Sequence, residues 1–187
     1  GFNTIRIPIS WGKHVSPAPE YTIEENFLKR VTTVVDQALD AGLYVIINSH
    51  HDNHIYSPTP DNAEAGMAYL SAIWTQVAEN FKDRDHHLIF QTMNEPRVQG
   101  SAYEWWVDTK NEDCMASVEV VNQLNQAALD AIRATGGNNG DRFVIISPYA
   151  GNHMAASISR FKLPADSAEG RLIVSVHAYT PYDLCLN

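Results

Sequence analysis

The sequence predicts an α/β fold with a single parallel sheet. Five apolar runs of strand length recur along the chain, and stretches of helical period or a short crossover separate them. The runs are Ile5-Arg6-Ile7-Pro8, Leu43 to Asn48, Leu88 to Thr92, Phe143 to Ile146, and Leu172 to Val176. Strands that read as nearly continuous apolar segments and are joined by helices belong to a parallel sheet covered on its outer face.

The elements follow in order. After the first strand, Phe27, Leu28, Val31, Val34, Val35, Ala38 and Leu39 fall on one stripe at 3.6 residues per turn. Thr22 and Glu25 predict a capping box before that helix, and Gly42 predicts its end. The second helix repeats the stripe with Tyr69, Leu70, Ile73, Trp74, Val77 and Phe81. The third does so with Val118, Val121, Leu124, Ala128, Leu129 and Ile132, and Gly136-Gly137 closes it. A short crossover then leads to the fifth strand.

A closed barrel of such units needs eight strands and typically ~250 residues. Five strands therefore predict one incomplete domain, residues 1–187, with further chain expected on both sides. An open doubly wound sheet is the alternative, but it usually carries a glycine-rich first βα turn, and none is present.

The chain has 187 residues, 44% of them hydrophobic, which suffices for one core. Its net charge is −9, and its 13 Lys and Arg are scattered, so no basic footprint exists for nucleic acid or an anionic membrane. No apolar run approaches the ~18 residues that span a bilayer. Cys114 and Cys185 lie far apart without Cys-x-x-Cys spacing, which points to neither a zinc site nor a disulfide framework.

Polar residues gather where the strands end, the place where barrels of this kind keep their chemistry. The third run stops at Met93-Asn94-Glu95-Pro96, which makes Glu95 the leading catalytic candidate. The first run contains Arg6 and leads to Ser10-Trp11, and the second ends in His50-His51-Asp52. The fourth reaches Tyr149, and the fifth ends in His177-Ala178-Tyr179. Arg6 stands out, because a guanidinium in an apolar strand needs a partner, expected here to be a carboxylate at the mouth. Such an arginine suits an ionised nucleophile better than a proton donor.

His50, His177 and Tyr179 are expected to donate hydrogen bonds to substrate, with Asn94 beside the reacting carbon. His50, His51, Asp52 and His54 could in principle bind zinc, but adjacent strand residues point to opposite sides, so one His faces the mouth and one packs sideways. No metal is expected there. Trp11, Trp105, Trp106, Tyr56 and Tyr149 offer aromatic faces for sugar rings, with helix packing the competing role for Trp105-Trp106.

At these residues the chain resembles glycoside hydrolase family five, specifically its cellulase-like endo-β-1,4-glucanases. The matching segments are Asn3 to Trp11, Ile47 to Asp52, Thr92 to Arg97 and Val176 to Tyr182. The resemblance implies an eight-stranded β/α barrel, of which this chain would hold strands two to six. It implies Glu95 as general acid/base of a retaining hydrolysis of β-1,4-glucan. Around it the implied substrate-binding set is Arg6, Trp11, His50, His51, Asn94, Tyr149, His177 and Tyr179.

The family's nucleophilic Glu ends the seventh strand, so it is expected outside this chain, and the isolated 187 residues are expected to have little activity. Asp52, Glu104 and Asp183 are the candidates within the chain for a substitute nucleophile, and none carries a motif that argues for it. No cofactor is implied. The resemblance also implies secretion, with any signal peptide outside this chain, and the open sheet edges invite self-association. Mannanase or xyloglucanase activity, or glycan binding without cleavage, stay open as alternatives.

Overall fold

The computed structural model describes residues 1–186; Asn187 and the side chain of Tyr182 lie outside the described residues. Its five strands are β1 (Thr4–Ile7), β2 (Tyr44–Asn48), β3 (Leu88–Gln91), β4 (Val144–Ile146) and β5 (Leu172–Val174). They pair in chain order, every pair parallel. That consecutive order excludes the doubly wound alternative, whose strand order reverses at a switch point. In β3 and β5 the apolar run outlasts the strand, and the residues left over, Thr92 in one and Ser175 and Val176 in the other, continue past the ladder towards the rim where the polar groups sit.

The register fixes what each face does. Ile7, Ile47 and Phe90 lie side by side, as do Ile5, Val45 and Leu88, and directly paired residues of parallel strands share a face. This face meets three helices, α1 (Glu25–Asp40), α2 (Ala63–Phe81) and α3 (Glu112–Ala134), in one continuous core. The predicted stripes of α2 and α3 are buried throughout. Each such side chain contributes about 1.5–3 kcal/mol relative to exposure. The α1 stripe is buried only at Val31 and Val35. Two short helices, α4 (Ala155–Ile158) and α5 (Tyr182–Cys185), flank β5.

The opposite face carries Arg6, Ile46, Asn48, Ile89, Gln91 and Ile145, alternating with the core positions. Asn48 and Gln91 are buried at its C-terminal end. The sheet thus has an apolar helix side and a second side whose upper edge is polar.

The capping box at Thr22 and Glu25 does not form. Val15 and Ile23 make an antiparallel bridge, and Thr22 is spent on it, its carbonyl accepting from the Ser16 amide at 2.8 Å and its amide donating to Ser16 Oγ at 2.9 Å. The helix therefore starts at Glu25, without a side-chain cap. Gly42 ends α1 with φ +77°, and Gly136 and Gly137 follow α3 at +67° and +56°, left-handed positions that favour glycine. Both cysteines are free: Cys114 is buried and Cys185 exposed.

Below β3, at the N-terminal end of the sheet, Arg142 is buried with every arm engaged. It donates to Asn139 Oδ1 and to the carbonyls of Phe81, Arg84, Asp85 and Leu88 at 2.6–3.1 Å. Burial holds its pKa down to about 10. This residue ties the α2–β3 turn to the loop before β4.

Candidate active site

Past Gln91 the chain leaves the β3 ladder but stays bonded on both sides. The Thr92 amide donates to the Ile145 carbonyl and the Asn94 amide to the Ser49 carbonyl, both at 3.0 Å. Beneath, Thr92 Oγ1 donates to Asn125 Oδ1 at 2.8 Å, Asn125 Nδ2 to the Ser147 carbonyl at 3.0 Å, and Ser147 Oγ to the Met93 carbonyl at 3.2 Å. A buried, satisfied network of this kind fixes the direction of the residues above it. Glu95 is consequently aimed at one place.

That place is the floor of a cavity of about 730 Å³, walled by Trp105, Trp106, Asn152, His153, His177 and Tyr179 among others. Glu95 Oε1 lies 2.6 Å from His177 Nδ1, and Oε2 lies 3.7 Å from Arg97 Nη1. His177 reaches this position because its amide donates to the Gly151 carbonyl and a parallel bridge pairs it with Asn152, extending the β4–β5 contact to the rim. Ala150 and Gly151 adopt left-handed backbone, φ +55° and +60°. A Cβ on Gly151 would stand 3.5 Å from both Glu95 Cγ and the His177 ring. Local strain of order 1 kcal/mol or more at Ala150 is held beside the carboxylate.

Burial raises the proton affinity of Glu95, but the His177 hydrogen bond, with the charges of His177, Arg97 and His50, outweighs it, so the carboxyl sits below its ordinary value. It rests as a carboxylate near neutral pH. His50 is pushed down to about 4, first by burial and then by His51, Arg6 and His177. Its ring is therefore neutral. Asn48 Oδ1 accepts from the Ile9 amide at 3.3 Å, which turns Nδ2 toward His50 Nδ1, 3.0 Å away. Nδ1 is then the acceptor, and Nε2 carries the hydrogen that His50 can donate.

The expectation for Arg6 needs correction. Its Nε donates to Gln91 Oε1 at 2.8 Å and its Nη2 to Asn94 Oδ1 at 2.7 Å, so its hydrogen-bond partners are two amides. Desolvation lowers its pKa, and the charges of Glu95 and Tyr179 offset part of that. A fork donor occupying both acceptor oxygens leaves the Asn94 NH2 free to face outward as a donor.

Trp11 is fully buried, its Nε1 donating to the Asn48 carbonyl at 3.1 Å and its ring edge-on to Phe27, so it packs in the core and does not meet substrate. Tyr149 is also buried; its hydroxyl accepts from the Val98 amide at 3.0 Å and burial pushes its pKa to about 12. Tyr56 is fully buried too. In each case an apolar ring at a strand end found the helix layer before it found the mouth. His51 is exposed and packs edge-on to the His50 ring, as expected for a neighbour pointing sideways.

Asp52 accepts from the amides of Trp11 and Gly12 and from Ser49 Oγ at 2.9–3.1 Å. That engagement suits a turn anchor better than a ligand or nucleophile. Glu104 is likewise committed, to Arg97 Nε at 3.0 Å and the Gly100 amide at 2.8 Å. Asp183 sits in α5, exposed.

Arg97 escaped the sequence reading although it stands in the Asn-Glu-Pro-Arg segment. Its guanidinium lies 4.0 Å over the Trp105 ring, bonds Glu104, and donates to the Glu95 carbonyl at 3.1 Å. It thereby couples the cavity wall to the carboxylate. Trp105 and Trp106 lie in no helix and are 45% and 56% exposed, which decides against helix packing and leaves their faces open to the cavity.

Known proteins resemble the chain along nearly its whole length. The sequence model described as Cellulase (glycosyl hydrolase family 5) matches residues 1–186. Endoglucanase A of Ruminococcus albus is 44% identical over 187 residues, which are 100% of this chain and 49% of that protein. A GH5 family lichenase from Caldicellulosiruptor sp. F32 superposes with a TM-score of 0.94 at 46% identity, covering 98% of this chain and 50% of that one. A xyloglucan-specific endo-beta-1,4-glucanase of the same family, from a metagenomic library, gives 0.90 at 44% identity, covering 97% and 52%. The chain spans about half the length of these relatives, and its five parallel strands are part of their β/α barrel. The strand order, the placement of Glu95 and the match along nearly the whole chain lead to one assignment: the chain belongs to glycosyl hydrolase family 5.

Proposed function

We propose that this chain is the acid/base half of a retaining endo-β-1,4-glucanase, with Glu95 as the proton-transferring carboxyl. The observation that carries the reading is the Glu95–His177 contact of 2.6 Å at the floor of an aromatic-walled cavity. The relatives named endoglucanase, and the lichenase solved with cellotetraose, support β-glucan as the substrate class.

Retaining hydrolysis uses two carboxyl groups about 5–5.5 Å apart. The second is assigned to the remainder of the barrel, and its negative charge would raise the proton affinity that His177 and Arg97 hold down. Glu95 then enters the first step protonated, donates to the leaving glycosidic oxygen, and is left as a carboxylate. In the second step it takes a proton from the attacking water, and the His177 Nδ1–H stabilises it in that form. Asn94, oriented by Arg6, donates to the hydroxyl beside the reacting carbon, and neutral His50 donates through Nε2. Trp105 and Trp106 stack on sugar rings.

Because a polysaccharide does not enter the cell, the enzyme works outside it. The bare β1 and β5 edges, with Ile5, Ile173 and Val174 each about 40% exposed, lead the chain to self-associate when they are not covered.

The test is hydrolysis of soluble cellulose by a polypeptide carrying the full barrel. Glu95→Gln lowers kcat by about 10³-fold, within the range for a lost general acid/base; unchanged turnover overturns the assignment. The xyloglucan-specific relative makes xyloglucan the second substrate to assay. Turnover of mannan in place of glucan, or binding without cleavage, would replace the glucanase reading.

A further inference from the structure

At the opposite end of the sheet, Asp85, His86 and His87 form a compact group in the α2–β3 turn. One ligand atom from each lies within 4.8 Å of the other two. From this group we infer a surface site for a borderline divalent transition metal such as zinc, nickel or copper, remote from the glycan cavity.

Two imidazoles and a carboxylate are the ligand set that zinc and its neighbours prefer, whereas calcium and magnesium take oxygen. Asp85 Oδ1 and His87 Nδ1 are already 3.1 Å apart, close to the ~3.3 Å between neighbouring ligands of a tetrahedral ion with bonds of ~2.0 Å. The remaining gap closes by a turn of the exposed His86 side chain. The site needs no residue from any other part of the chain. Asp85 and His86 are exposed, so an ion has access and room for water as a further ligand.

The backbone beneath is fixed before any metal arrives. Arg142 grips the Asp85 carbonyl at 2.8 Å and the Arg84 carbonyl at 2.6 Å. The His87 amide donates to Asp85 Oδ1 at 2.9 Å. Tyr44 packs against His87 with ring centroids 4.6 Å apart and planes tilted by 37°, and the His86 and His87 rings lie 4.4 Å apart. Arg84, the nearest cation in sequence, is tied to Asp36 through two hydrogen bonds of 2.8 and 2.9 Å and does not compete for Asp85. On binding, the metal takes the His87 Nδ1 lone pair and an Asp85 carboxylate oxygen, giving an N–metal–O link in place of N–H···O, and the Nδ1 hydrogen passes to Nε2 or, from a doubly protonated ring, to solvent.

The experiment is calorimetric titration of the protein with zinc chloride in a non-chelating buffer, beside the double variant His86→Ala/His87→Ala and the single variant Asp85→Asn. The histidines elsewhere, including His50 and His177, make a total count insufficient, so the readout is the difference between proteins. The double variant is expected to lose one equivalent of zinc, and Asp85→Asn to bind that equivalent about tenfold more weakly. Identical stoichiometry and affinity in all three proteins overturns the site. Should a variant fail to fold by circular dichroism, anomalous diffraction at the zinc edge from the unmodified protein decides: a peak between Asp85 and His87 supports the site, and zinc found only beside His50 or Glu95 overturns it. Calcium displacing the bound zinc would also contradict it.

Discussion

Two arginines at opposite ends of the same sheet show how this molecule separates support from chemistry. Arg142, below β3, spends its guanidinium on four backbone carbonyls and one amide oxygen, lies 4.9 Å over the Phe90 ring, and is not among the residues that line the cavity over Glu95. Arg97, above β3, touches a carboxylate on each side and an indole face, and both the indole and one carboxylate line a cavity. Both are nearly buried. Burial therefore does not distinguish the roles; what distinguishes them is whether the side chains they touch are sealed in the core, as Phe90 is, or line a cavity, as Trp105 and Glu95 do.

The difference can be broken from the support side first. Arg142→Met removes five hydrogen bonds made by one buried guanidinium, each worth ~1 kcal/mol, although the Phe81, Asp85 and Arg84 carbonyls keep the Arg84 amide, the Leu88 amide and Asn138 Nδ2 as donors; urea unfolding should show a loss of about 3 kcal/mol or greater. A loss under 1 kcal/mol would mean water replaces the guanidinium. On the other side, Arg97→Ala should spare most of the stability but lower kcat/KM of the full barrel about 10- to 100-fold. Removing a positive charge favours protonated Glu95 and raises its pKa. The alkaline limb of the pH–rate profile, set by the acid that must start protonated, then moves to higher pH. A limb that stays put would place Arg97 with Arg142 among the supports.

His50 gives a smaller effect of defined sign. Its folded pKa, about 4, lies below the ordinary 6.5, so between these values the unfolded chain binds a proton that the folded one refuses. Its contribution makes stability fall as pH drops from about 6.5 to about 4. His50→Gln should flatten that part of the stability-against-pH curve, and an unchanged slope would assign it to other groups. Tyr149→Phe, the mildest change, costs about 1 kcal/mol through the orphaned Val98 amide, with KM unaltered. An altered KM would return Tyr149 to the substrate.

How much of this could be read in advance follows from which interactions are local. Strand and helix identities were legible because each depends on its own apolar period, and the stripes of α2 and α3 are buried where their spacing puts them. That Glu95, His177 and Tyr179 come to one cavity was legible because a strand end has one direction. The errors share a cause. The Thr22–Glu25 cap lost to a bridge between Val15 and Ile23, and the partner of Arg6 proved to be Gln91 on a strand two places away. Trp11 and Tyr149 carry the right chemistry for sugars, but sequence does not say whether a ring at a strand end turns into the helix layer. Arg97 could have been found: an arginine just beyond Asn-Glu-Pro, followed by Glu104 and Trp105, is a charge with two partners within reach.

The central claim, that the upper end of this sheet holds a β-1,4-glucan across Glu95, is tested most directly by the structure of the Glu95→Gln full barrel with a β-1,4-linked glucose oligomer. The account predicts a glycosidic oxygen within hydrogen-bond distance of the residue 95 side chain and a sugar ring against Trp105 or Trp106. An oligomer that binds elsewhere, or that leaves the residue 95 side chain in contact with His177 alone, contradicts it.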